Sequence, residues 1–108
     1  MRKIGVKIKT IGGIVMNTRQ IIKEVKQGTA EYKVDEISVT DLQNAKYYLE
    51  DEKLSVVGEF GVYEGLLHEQ ITQGIQWYYD TECIGYLDLA RNILLVLIEQ
   101  YINEGYLK

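Results

Sequence analysis

The segment from Tyr86 to Glu104 constrains the fold most, because it predicts a helix that is apolar around almost its whole circumference. One set of apolar residues repeats at a spacing of three and four, and a second set fills the positions between them: Leu87, Ala90, Leu94, Leu97 and Tyr101, then Ile93, Leu95, Val96 and Ile98. A helix of this kind must be covered on nearly every side. We therefore expect either a central core helix or a helix that is buried in a homodimer interface.

The remaining segments predict a mixture of strands and helices. Alternating apolar residues up to Ile8, followed by Gly12-Gly13, predict an N-terminal β-hairpin. Further short strands, or one bulged strand, are expected within Ala30–Val39, and another strand over Leu54–Phe60. Helices are expected from Asn17 to Gly28, from Ser38 or Thr40 to about Glu50, and from Val62 to Tyr79. The sequence thus predicts a single α+β domain over residues 1–108, in which a small antiparallel sheet packs on three to four helices.

The composition is typical of a soluble, cytoplasmic domain. Of the 108 residues, 46% are hydrophobic, which is enough for one core. The single cysteine, Cys83, excludes a disulfide within the chain and fits a reducing compartment. Lysines interrupt the apolar residues near the N-terminus, so we expect no signal peptide. The longest apolar run, Ile93–Ile98, is too short to span a membrane.

Few residues offer catalytic or metal-binding chemistry. His68, the only histidine, follows Glu64 by four residues on a predicted helix, which is typical of a solvated surface pair. A His68–Cys83 dyad would require the chain after that helix to fold back over about four turns. The glycines form no phosphate-binding loop, and neither serine lies in a nucleophile elbow. We therefore expect no enzyme, metal or cofactor, and keep a ligand or catalytic pocket near His68 and Cys83 as an alternative.

Charge is distributed unevenly along the chain. Residues 1–30 carry seven basic residues and one acidic residue, a net charge of +6, whereas residues 31–108 carry −10. The basic residues of the predicted N-terminal strand could follow a phosphate backbone, so a nucleic-acid-binding protein is a second alternative: Arg2, Lys3, Lys7 and Lys9, with Arg19, Lys23 and Lys26 of the following helix as further candidates. Opposite charges on one chain also favour self-association, with the edge of the N-terminal strand as a pairing site.

The choice of aromatic residues is unusual, with nine tyrosines beside one tryptophan and one phenylalanine. Because adjacent residues on a helix point about 100° apart, we expect two of the clustered rings in the core, Tyr48 and Tyr78, and three nearer the surface, Tyr47, Trp77 and Tyr79. Tyrosine and tryptophan are enriched at binding hot spots. Together with nearby acidic residues they predict one contact surface: Tyr47, Glu50, Asp51, Glu52, Glu69, Trp77, Tyr79, Asp80 and Glu82.

These observations favour a non-enzymatic protein–protein interaction module, such as a small inhibitor, adaptor or regulator. Its acidic, tyrosine-rich surface would occupy a basic cleft of a partner protein, including a cleft that normally holds nucleic acid, with carboxylates in place of phosphates. Small proteins of bacterial viruses and mobile elements often act in this way, an analogy that adds to the hypothesis. We also expect that a homodimer, if one forms, uses the N-terminal strand or the C-terminal helix.

Overall fold

The fold is given by a computed structural model that describes residues 16–51, 57–60 and 63–107, apart from the side chains of residues 50–51 and 57–64. These residues form four α-helices: α1 (Thr18–Gln27), α2 (Val39–Asp51), α3 (Leu67–Thr81) and α4 (Ile84–Asn103). They also form two short 3₁₀ helices, Ala30–Tyr32 and Val34–Glu36, and two strands, β1 (Val57–Phe60) and β2 (Tyr63–Leu66). The N-terminal hairpin expected up to Val15 lies outside the described residues.

Helix α4 is the centre of the molecule, as the apolar pattern of its sequence predicts. It packs against α1, α2, α3 and both 3₁₀ helices. Leu94, Leu97 and Ile98 are completely buried, and so is the ring of Tyr101. The prediction of a central core helix is therefore confirmed.

Helices α3 and α4 form an antiparallel pair and are joined by a two-residue connection. Gly74 permits their close approach, because a Cβ atom at this position would lie 3.1 Å from the Cβ of Ala90 and 3.2 Å from the carbonyl oxygen of Tyr86. Nearer the connection, the ring of Trp77 lies 5.4 Å from that of Tyr86. The glycine that weakens α3 as an isolated helix thus allows α3 to pack tightly on the core helix.

The prediction of an α+β fold is wrong. The only sheet in the described part of the chain is the β1–β2 hairpin, which is antiparallel and pairs Val57 with Leu66 and Phe60 with Tyr63. The segment expected to form strands within Ala30–Val39 instead forms the two 3₁₀ helices. Its backbone groups find partners locally, since Lys33 N–H donates to Ala30 C=O and Ile37 N–H donates to Val34 C=O. These groups consequently need no partner strand.

Helix α3 begins five residues later than its sequence predicts, because the expected first turn is strand β2. Gly65 has a φ of 129°, a conformation that no right-handed helix contains. Leu66 is still extended, and the helix begins at Leu67. The apolar residues up to Leu66 therefore contribute to the hairpin and not to the helix.

The side chains predicted to cap the N-termini of α1 and α2 do so in the structure. Asn17 Oδ1 accepts a hydrogen bond from the backbone N–H of Gln20 (2.9 Å), and Ser38 Oγ accepts one from that of Asp41 (3.1 Å). The reciprocal bond of a capping box does not form at α1, because the Gln20 side chain donates to Glu24 Oε2 instead. Both helix starts are therefore fixed by one local interaction each.

Glycines in the left-handed conformation end α1 and α4 in the same way. Gly28 has a φ of 76° and Gly105 a φ of 85°. After α4, Gly105 N–H donates to Ile102 C=O and Tyr106 N–H donates to Tyr101 C=O, the pair of bonds that defines a Schellman motif. This turn sends the chain back along the molecule, so that Leu107 is buried.

Candidate functional site

A groove between α2 and α3 brings together two of the residues predicted to contact a partner. Tyr47 lies on the α2 wall and Tyr79 on the α3 wall, and their side chains are 58% and 59% exposed. The groove, here called the tyrosine groove, has a volume of about 110 Å³. The described residues that line it are Gln43, Lys46, Tyr47, Thr72, Ile75, Gln76 and Tyr79. Two exposed rings therefore face the same solvent space although they are far apart in sequence.

Neighbouring side chains hold both rings in place. Lys46 Nζ lies 4.1 Å from the centroid of the Tyr47 ring, within the range of a cation–π contact, although the lysine itself is buried. The Tyr79 ring lies 5.9 Å from that of Tyr78, which packs against the core. Rings that are restrained before binding lose less conformational entropy when a partner covers them. The tyrosine groove is therefore suited to anchoring a partner.

Acidic side chains of α3 lie beside the tyrosine groove. Glu69, Gln76 and Asp80 are spaced by seven and four residues, which places them on one stripe of the helix, and all three are exposed. Gln76 Nε2 donates to Asp80 Oδ1 (3.0 Å), which links the end of the stripe to the groove. We call Glu69 and Asp80 the acidic stripe. A partner that covers the tyrosine groove meets both rings and carboxylates.

Of the five other predicted contact residues, two are placed differently and three have side chains outside the described residues. Trp77 is half-buried on another side of α3, where it packs against Tyr86 of α4, so it does not line the groove. Glu82 is exposed just after α3, with a φ of 58°. The side chains of Glu50 and Asp51, and the whole of Glu52, lie outside the described residues.

Tyr48 is not in the core, contrary to the prediction from its spacing. It is 44% exposed, whereas Lys46 is only 6% exposed. The buried stripe of α2 runs through Leu42, Ala45 and Leu49, and a helical rotation of 100° per residue points Tyr47 and Tyr48 away from this stripe, in directions about 100° apart. The two consecutive tyrosines therefore face different parts of the surface.

His68 and Cys83 lie at opposite ends of α3, separated by 15 residues of sequence, or roughly 20 Å along the helix. His68 Nε2 is 3.3 Å from the hydroxyl oxygen of Tyr101, which donates to the carbonyl oxygen of Leu49 (2.7 Å). Cys83 is exposed before the start of α4. The structure thus does not bring the two side chains together, and His68 instead joins a contact that ties α3 and α4 to α2.

Neither metal-binding clusters nor membrane-spanning helices occur in the described part of the chain. No group of three or more His, Cys, Asp and Glu residues whose side chains the structure describes is placed to hold a metal ion. Within residues 16–51, 57–60 and 63–107, no helix combines the length and the apolar character that crossing a membrane requires. Of the residues of the nucleic-acid alternative, Arg2, Lys3, Lys7 and Lys9 lie outside the described residues, whereas Arg19, Lys23 and Lys26 are exposed on α1.

The residues that complete the tyrosine groove were not identified from the sequence. Gln43, Lys46 and Tyr47 on α2 are spaced as i, i+3 and i+4, and the four residues of α3 repeat this pattern over two turns. Such spacing indicates that residues share a face of one helix, but not which faces of two helices meet. Comparison of the chain with protein-family models, curated proteins and solved structures gave no match.

Proposed function

We propose that the protein is a non-enzymatic interaction module that binds a basic surface of a partner protein, as a small inhibitor, adaptor or regulator does. The observation that carries the proposal is the tyrosine groove, in which Tyr47 and Tyr79 are exposed, restrained and on facing walls. Tyrosines in such positions are the residues that most often dominate binding energy. The acidic stripe beside them favours partners with lysine or arginine at the contact.

The proposal assigns different tasks to the rings and to the carboxylates. Tyr47 and Tyr79 supply buried contact area, which governs how slowly the complex dissociates. Glu69 and Asp80 lie at the exposed rim, where charges mainly accelerate association. This acceleration becomes smaller as the salt concentration rises. The proposed location is the cytoplasm, which the exposed free thiol of Cys83 supports, since reducing compartments preserve such thiols.

The experiment compares the proteins that co-purify with the wild-type chain and with variants of the tyrosine groove. The doubly substituted chain Tyr47→Ala, Tyr79→Ala should lose its specific partner, because removing two anchor rings weakens binding by at least about 30-fold. The chain Glu69→Lys, Asp80→Lys should bind the same partner with a slower association rate, measured by surface plasmon resonance once the partner is identified.

Tyr32→Ala is the matched control, because Tyr32 is 79% exposed and does not line the groove. This variant should recover the same partner as the wild type. If the groove variant and the control recover identical sets of proteins, the tyrosine groove is not the binding site. Circular dichroism of each variant verifies that the helices are intact.

A further inference from the structure

A second and larger cleft lies on the other flank of α2, between α1, α2 and the residues that follow α4. We call it the basic cleft, and its volume is about 530 Å³. The described residues that line it are Thr18, Arg19, Ile22, Lys23, Lys26, Tyr48, Tyr106 and Leu107. None of these residues lines the tyrosine groove. Its volume is within the range of cavities that hold small ligands or parts of larger ones.

One wall of the basic cleft is a row of cations on α1. Arg19, Lys23 and Lys26 are spaced by four and three residues, which places them on a single face, and all three are exposed. The rise of the helix distributes them over roughly 10 Å. None of the described residues that line the cleft is acidic. The row therefore presents a concentrated positive charge on a chain whose net charge is −4.

The one acidic residue of α1 does not neutralise this row. Glu24 is buried on the opposite side of the helix, where its carboxylate accepts hydrogen bonds from Thr29 Oγ1 and from Gln20 Nε2 (2.7 Å). Lys33 Nζ lies 3.3 Å from Glu24 Oε2 and completes the set. The charge of Glu24 is thus balanced by its own neighbours, so this carboxylate does not pair with the cations of the cleft.

The other wall of the basic cleft carries two tyrosine rings. Tyr48 is 44% exposed and Tyr106 is 48% exposed. The turn at Gly105 positions Tyr106, and its ring lies 5.9 Å from the buried ring of Tyr101. Ile22 and Leu107 add apolar surface between the rings and the cations. The cleft therefore combines positive charge with two flat, partly exposed aromatic surfaces.

We propose that the basic cleft binds a short segment of single-stranded nucleic acid. Arg19, Lys23 and Lys26 neutralise its phosphates, and unpaired bases stack on Tyr48 and Tyr106, the combination by which proteins hold single strands. An acidic peptide would satisfy the cations but would leave the rings without a planar partner. A duplex would keep its bases stacked inside and out of reach of the rings. This site is separate from the tyrosine groove and does not depend on the protein partner proposed above.

The experiment measures the fluorescence anisotropy of a labelled single-stranded oligothymidylate at about 50 mM salt and above. The full chain should bind it, with a logarithmic salt slope of about −2 if three phosphates are contacted, since each contributes about −0.7 on single strands. A base-free deoxyribose-phosphate oligomer of the same length should compete at least 10-fold more weakly, because it has the charges without the stacking surface.

Variants separate the two parts of the site. Arg19→Glu with Lys23→Glu should weaken binding by more than 30-fold, and Tyr48→Ala by about 5- to 30-fold. Tyr106→Leu should have a similar effect while keeping apolar contact with Tyr101. Tyr32→Ala, which removes a ring that is 79% exposed and lines neither the basic cleft nor the tyrosine groove, is the control and should bind like the wild type.

Four outcomes would overturn the proposal. The first is no binding at low salt, and the second is equal competition by the base-free oligomer, which would mean that charge alone acts. Equal competition by polyglutamate would indicate an acidic peptide site. Complete competition by thymidine monophosphate at the same nucleotide concentration would indicate a free-nucleotide pocket.

Discussion

At the scale of single residues, Glu24 shows how a buried charge is made compatible with the fold. Its carboxylate is almost inaccessible to solvent, yet three side chains from two parts of the chain donate to it. The hydrogen bond from Thr29 is the largest cause that lowers the pKa of Glu24 below its ordinary value of 4.5, and Lys33 and Gln20 lower it further, against the opposing effect of burial. The folded state therefore stabilises the ionised form of the Glu24 side chain.

This arrangement predicts how stability depends on pH. A carboxyl whose pKa is lower in the folded state stabilises the protein above its unfolded-state pKa, and that contribution disappears as the pH falls through the folded-state value. Glu24→Gln should therefore lower the melting temperature at pH 7, and its difference from the wild type should shrink as the pH falls below about 4.5. Thermal unfolding followed by circular dichroism between pH 7 and pH 3 measures both effects.

Thr29→Val provides the companion variant, because it removes the main donor to Glu24 and keeps the shape of the side chain. It should lose part of the same pH-dependent stability. If Glu24→Gln and the wild type remain separated by a constant melting difference down to pH 3, the carboxylate does not make the contribution described.

Single residues also show how far sequence alone predicts the candidate site. Spacing correctly places Tyr47 and Tyr79 at the surface. It wrongly places Tyr48 in the core. The apolar ring of Tyr48 suggests burial more strongly than the charged side chain of Lys46 does, yet Lys46 is the residue that is buried. The aliphatic part of a lysine can be buried along a helix, so hydrophobicity does not separate these two neighbours.

At the scale of secondary-structure elements, the close packing of α3 on α4 leaves little room for a side chain at Gly74, and substitution of this residue tests the packing. Gly74→Ala should lower the free energy of unfolding by about 1 kcal/mol, because steric strain of about 1–3 kcal/mol exceeds the gain in helix propensity of about 1 kcal/mol. The strain is hard to relieve, since one of the two contacted groups is the backbone carbonyl of Tyr86. Urea unfolding measures the change.

Gly85→Ala is the matched control in the same helix pair. A Cβ atom there would lie 3.6 Å from the Sγ of Cys83, an ordinary van der Waals distance. This variant should be as stable as the wild type or more stable by up to about 1 kcal/mol. Equal stabilisation by both substitutions would mean that the helices separate easily at Gly74.

Sequence patterns predict elements well where the signal is local and poorly where it depends on a partner. The start of α1 at Asn17, its end at Gly28 and the start of α2 at Ser38 each follow from one capping residue. Strand β1 lies within the strand expected over Leu54–Phe60. Its partner β2 is missed because Tyr63–Leu66 continues the apolar spacing of α3, whereas the backbone of Gly65 excludes it from the helix. The 3₁₀ helices are missed because the alternation of apolar and polar residues within Ala30–Val39 resembles that of a strand. Among the described residues, this segment has no neighbouring strand to pair with.

At the scale of the whole molecule, the central position of α4 predicts cooperative unfolding. Every other described helix packs against it, so none can keep its buried face once α4 is lost. Leu94→Ala should lower the free energy of unfolding by about 2–5 kcal/mol, the range for a buried leucine replaced by alanine. Urea curves from the fluorescence of Trp77 and from helical circular dichroism should coincide in both proteins.

Ile84→Ala is the control for this prediction, because Ile84 begins the same helix but is 55% exposed. Its effect should stay within about 0.5 kcal/mol. Separate fluorescence and circular dichroism transitions would mean that α3 and α4 unfold independently of the rest. Whether α4 also takes part in a homodimer stays a prediction, and sedimentation at several protein concentrations decides it.

The adjacent positions of Tyr47 and Tyr48 restrict how this chain can evolve. A single-residue insertion in α2 before Tyr47 would rotate both rings by about 100° around the helix axis. One mutation would then move Tyr47 out of the tyrosine groove and Tyr48 out of the basic cleft. Substitution at either position alters one surface and spares its neighbour. Lineages that diversify in what they contact should therefore vary in the identity of these two residues, while the number of residues between Ser38 and Tyr47 stays constant.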